Sequence, residues 1–76
     1  MLIDARDVLY FGIKFRSRQF VLIHNHPSGD PKPSSEDIEQ TKRIVSAAEL
    51  LTMKLIDHII IAKEGYFSFH EFTSVL

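Results

Sequence analysis

Two short apolar runs with one amphipathic helix between them constrain this chain most. Residues 19–24, QFVLIH, and 55–62, LIDHIIIA, are rich in β-branched and large apolar side chains and read as buried strands. Between them, residues 35–51 place Ile38, Thr41, Ile44, Val45, Ala48 and Leu51 on one helical stripe. Glu36, Glu39, Lys42 and Arg43 fall mostly elsewhere. A strand, a helix and a second strand pack as a parallel pair with a right-handed crossover. The apolar content of both strands predicts a sheet covered on both faces.

Around this unit the reading is simple. Residues 4–17 form a helix, with Asp4 as its cap and Gly12 as a weak point. Residues 25–34 are a Pro/Gly loop. Lys63-Glu64-Gly65 turns the chain into a further strand at YFSF, 66–69, which gives a hairpin. Ser68 and Glu71 have capping-box spacing and predict a short helix near the C-terminus. With 76 residues the chain is at most one domain, 1–76. A chain this short is marginal, but six Phe and two Tyr supply bulky core material.

Composition excludes several classes of function. There is no cysteine, which removes disulfides, iron–sulfur clusters, thiol catalysis and Cys-based zinc sites. A reducing cytoplasm is the expected location. No apolar run approaches the ~20 residues of a membrane span, and the acidic start does not resemble a signal peptide. The net charge of -1 gives no electrostatic support for nucleic-acid binding. Lys14, Arg16 and Arg18 are a small basic patch that reads as a solvated face.

The chemistry lies in IHNHPSGDPKPSSED, residues 23–37. His24 and His26 are two apart at a strand end, so they share a face and can converge on one ion. Asp37 falls in the first turn of the next helix, where the dipole favours the ionised carboxylate a metal requires. Two His and one carboxylate leave zinc a fourth position for water, the pattern of a catalytic site. That water becomes an acidified nucleophile. Ser34 can donate to the oxyanion of a tetrahedral intermediate. Ser34 and Asp37 also form a capping box, a role compatible with the first. A lone His-x-His pair is more often a surface or packing feature; the full spacing is far more specific. His58 reads as a sheet histidine with a hydrogen bond, and His70 as exposed. Asp57 is a candidate to support a ligand histidine from behind. The zinc deaminase pattern, which needs His-x-Glu and paired cysteines, is absent. So is His-Glu-x-x-His.

The run His24-Asn25-His26-Pro27-Ser28-Gly29-Asp30-Pro31, with Pro33-Ser34 and Asp37, resembles the JAMM motif of the MPN metalloprotease fold. It is most similar to the bacterial RadC family, long labelled as DNA repair proteins. The run Leu55 to Ile61 resembles that family too, and the similarity extends from about Ala5 to Phe69. The resemblance implies an α/β fold, a three-layer-like mixed sheet flanked by helices, related to the cytidine deaminases and here truncated at its N-terminus. It implies one zinc ion per chain on His24, His26 and Asp37, Ser34 as the oxyanion helper, and hydrolysis of peptide or isopeptide bonds in a peptide or protein substrate. In active members a glutamate from an earlier strand is the general base. This chain has no glutamate before His24, only Asp4 and Asp7. Weak or absent hydrolysis is therefore expected of the chain alone, with a non-catalytic metal-binding or protein-interaction module as the alternative. Missing strands would leave an open sheet edge, which predicts a homodimer.

Overall fold

The computed structural model describes residues 5–76. The order is α1 (Ala5–Lys14), β1 (Gln19–Asn25), α2 (Ser35–Leu50), β2 (Lys54–Ala62), β3 (Gly65–Ser68) and α3 (Phe69–Phe72). This is the order expected from the sequence, with boundaries shifted by up to three residues. The expected cap at Asp4 lies outside the described residues.

The three strands form one mixed sheet in the order β1-β2-β3. β1 and β2 are parallel and joined through α2; β2 and β3 are antiparallel across the tight turn. The parallel register sets His24 beside Ile60 and Leu22 beside His58. It slips once, where Phe20 pairs with Leu55 but Val21 pairs with Asp57. Ile56 is the extra residue, and such a bulge reverses the alternation of side chains that follows it. Leu55, His58 and Ile60 are consequently all buried, although strict alternation would send His58 to the face opposite Leu55.

The core is small. Ile44, Ala48, Leu55, Ile60, Phe69 and Met53 are buried between α2, α3 and the sheet. Four polar residues, His24, Thr41, His58 and Ser68, are buried with them. The opposite face differs from the expectation of cover on both sides. Val21, Ile23 and Ile61 are 47%, 62% and 45% exposed, because among the described residues α2 and α3 lie against the other face. Gly12 is more than a weak point in α1. A Cβ there would sit 2.9 Å from the Met53 sulfur, so the glycine allows a close approach.

Both ends of α2 are defined by local chemistry. Ser34 Oγ accepts from the Asp37 N–H at 3.1 Å, and Asp37 Oδ2 accepts from the Ser34 N–H at 2.8 Å, a complete capping box. At the other end Thr52 takes a left-handed φ of 57°. Its N–H bonds to Glu49 O and the Met53 N–H to Ala48 O, the Schellman arrangement that closes a helix and directs the chain into β2.

Candidate metal centre

The site is built at the C-terminal edge of β1. His24 is the penultimate residue of the strand and faces the core. His26 lies one residue beyond it, and its N–H still bonds to Ile61 O at 3.0 Å. That extra rung continues the strand geometry, so His24 and His26 project to the same side with ring centroids 5.0 Å apart. The chain then turns sharply. Gly29 has φ +88°, which a residue with a Cβ rarely adopts, and its N–H closes a turn on His26 O. Gly29 O also accepts from the Glu64 N–H, tying the loop to the β2–β3 turn. The Asp30 carboxylate accepts from the Lys32 N–H, and the chain reaches the cap of α2 at Ser34.

The capping box aims Asp37. One carboxylate oxygen, Oδ2, is held by the Ser34 N–H and lies 3.1 Å from His26 Nε2; the other, Oδ1, lies 3.8 Å from His24 Nε2. Ligand atoms of His24, His26 and Asp37 all lie within 4.8 Å of one another. Among the described residues this is the one His/Cys/Asp/Glu group that could hold a metal ion.

The donor atoms suit a cation. His26 Nδ1 is 3.0 Å from Asp30 O, and a carbonyl only accepts, so that nitrogen carries the hydrogen. In the neutral ring Nε2 then holds a lone pair, directed at the Asp37 carboxylate. His24 Nε2 is buried and has no hydrogen-bond partner, alone among the buried side-chain N and O atoms of the described residues. Two imidazole nitrogens and a carboxylate that converge, one of the nitrogens buried with no partner, are an environment a divalent cation would relieve.

The electrostatics agree. Burial lowers the pKa of His24, although Asp37 partly opposes the shift, so the ring favours its neutral form. Burial pulls Asp37 upward, but hydrogen bonding with the main chain and side chain of Ser34, together with the two imidazoles, holds it below the ordinary value. Neutral imidazole and ionised carboxylate are the forms that ligate metal.

The other candidates fall elsewhere. Asp57 does not stand behind a ligand. Its carboxylate accepts from Ser68 Oγ at 2.6 Å, the His58 N–H at 2.7 Å and the His70 N–H at 3.0 Å, which fastens β2 to the start of α3. Facing Ser68, with the bulge turning His58 the other way, it cannot also reach His24. His70, Lys14, Arg16 and Arg18 are exposed. Asp7 is exposed in the first turn of α1 and is not in the His24 group. Two residues were missed as parts of the site, His58 and Thr41. His58 Nε2 is 2.7 Å from His24 Nδ1, and Thr41 Oγ1 is 2.7 Å from His58 Nδ1. Thr41 was legible as the residue one helical turn after Asp37. His58 was hidden by the bulge.

The family model described as the RadC-like JAB domain covers residues 1–74. The chain belongs to the RadC family. A UPF0758 protein of Thermotoga maritima is 47% identical over 70 residues, and one of Alkaliphilus metalliredigens is 49% identical over 70. One of Aquifex aeolicus is 42% identical over 66 residues. These alignments cover 92%, 92% and 87% of the chain but 32%, 30% and 29% of the relatives. The RadC-like chain thus spans about a third of the length of the curated relatives it matches. Its small mixed sheet with helices accords with a JAB/MPN-type α/β fold. No described helix is long and apolar enough to cross a membrane.

Proposed function

We propose that this chain is the metal-binding portion of a RadC-like hydrolase domain, with one zinc ion on His24, His26 and Asp37. The observation that carries the reading is the buried, unpartnered Nε2 of His24, which shares its space with His26 Nε2 and the Asp37 carboxylate. When bound by three protein ligands, zinc supplies a water acidified toward neutrality as nucleophile. The chain's own residues do the rest. Asp30 O orients His26 through its Nδ1–H. The capping box holds Asp37. Ser34 Oγ already accepts from Asp37 N, which leaves its hydroxyl hydrogen to donate to a developing oxyanion on a peptide or other acyl substrate.

A non-catalytic metal-binding module is the second reading, since among the described residues no further carboxylate joins the group of His24, His26 and Asp37. A general base is worth about 10²–10⁴ in rate, so turnover by the zinc-loaded chain separates the two readings. Metal analysis and titration calorimetry test the site. One zinc per chain is expected, lost in His24→Ala and Asp37→Ala. A folded wild-type chain that takes up no zinc would refute the assignment. Turnover of a fluorogenic peptide panel by the zinc-loaded chain, abolished in Ser34→Ala, would favour catalysis over the binding module.

A further inference from the structure

We propose that His58 and Thr41 are positioning residues that lock His24 in the tautomer whose bare Nε2 faces the metal site. The inference rests on the zinc reading for its purpose, but its mechanism follows from hydrogen-bond bookkeeping inside the apo protein.

The chain of bonds has one consistent direction. Thr41 Oγ1 donates to the backbone carbonyl of Asp37 at 2.8 Å, and a carbonyl cannot donate back. The hydroxyl's only hydrogen is therefore committed, and its oxygen is an acceptor toward His58 Nδ1 at 2.7 Å. His58 must carry its hydrogen on Nδ1. The ring is completely buried, and the partners of its two nitrogens are a hydroxyl and a second imidazole. An imidazolium there would lack a directly bonded counter-charge, so the ring is neutral and its Nε2 bears a lone pair. That lone pair accepts from His24 Nδ1 at 2.7 Å. With its hydrogen on Nδ1, neutral His24 presents a bare Nε2.

The assembly is rigid as well as directional. Phe69 stacks on the His58 ring, with centroids 4.8 Å apart and planes 8° from parallel. Thr41, His58 and Phe69 are all 0% exposed. The lock also joins two of the three candidate ligands, because it starts on the main chain of Asp37 and ends on the ring of His24. Metal-ligating histidines commonly donate their other N–H to a carboxylate, carbonyl or water. Here a second histidine takes that place, and a threonine one turn along the ligand-bearing helix determines that histidine's own tautomer.

Thr41→Val reverses the bookkeeping. His58 loses its acceptor at Nδ1 and is free to carry its hydrogen on Nε2. It then donates to His24 Nδ1 and pushes the His24 hydrogen to the metal-facing nitrogen. Thr41→Ser keeps the hydroxyl and should keep the lock.

Two measurements decide the matter. Nitrogen-15 NMR of histidine-labelled, metal-free wild-type chain at neutral pH should report Nδ1–H for both His24 and His58. Calorimetry with zinc should show affinity lowered about 10–100-fold in Thr41→Val and near wild type in Thr41→Ser. His24 found as the Nε2–H tautomer in the wild type would overturn the proposal, whatever the variants do. So would a folded Thr41→Val that binds zinc like wild type. A wild-type chain that shows the expected tautomers but binds no zinc would refute the metal reading alone.

Discussion

Acid should unfold the metal-free chain in a window that belongs largely to His58. Burial first, then the neighbouring His24, lowers its pKa from 6.5 to about 4 in the folded state. The unfolded chain therefore binds the His58 proton at a higher pH than the folded chain does. Stability from this group is fully present above 6.5 and is lost as pH falls toward 4. Carried through the linkage relation, these two values give a loss of roughly 2 kcal/mol between pH 7.5 and pH 5, approaching about 3 kcal/mol below pH 4. A 76-residue domain has on the order of 4–11 kcal/mol in total, so the loss is readily measured. His24, also lowered by burial, adds in the same direction. Asp37 and Asp57 are held below their ordinary 3.8, so their contributions fade at lower pH still. The assay is urea denaturation followed by circular dichroism at several pH values between 7.5 and 4.5, with chelator present. Wild type should lose stability steadily below pH 6.5. His58→Gln keeps an acceptor for His24 and a donor for Thr41 but does not titrate, so its curve should be flatter by roughly 2 kcal/mol at pH 5. Parallel curves for wild type and His58→Gln would refute the assignment of the acid transition to His58.

Two other perturbations address local structure. Ser34→Ala removes the acceptor for the Asp37 N–H and should cost about 1 kcal/mol in urea denaturation; an unchanged midpoint would show that the capping bond contributes nothing. Thr52→Gly relieves a left-handed backbone worth roughly 1–2 kcal/mol and adds about 0.5–1 kcal/mol of unfolded-state entropy. A net gain of about 0.5 kcal/mol, seen as a higher thermal midpoint, is expected, and a lower midpoint would contradict the strain argument.

Much of this was readable in the one-dimensional pattern because the relevant forces are local. The apolar, β-branched run at 19–24, the helical stripe at 35–51 and the turn at Lys63-Glu64-Gly65 each depend on neighbours a few residues away. The capping box is equally local, since Ser34 and Asp37 are three residues apart. His-x-His at a strand end needs only the pleat to place both rings on one side. The exposure of Val21 and Ile23 among the described residues was not readable for a related reason. Apolar content describes what a strand can bury, while the neighbours that bury it are a tertiary matter.

The sequence by itself thus singled out the three candidate ligands, Ser34 as a candidate helper and the elements that carry them. Only the tertiary structure decided what stands behind the ligands. His24 and His58 are 34 residues apart and meet through the parallel register and a single-residue bulge at Ile56. Without that bulge His58 would face away, and Asp57 would occupy the position expected of it from the sequence. Alternation counts residues along one strand, but a bulge arises from pairing between two. For that reason the contact between His58 and His24 could not be read until the sheet was assembled.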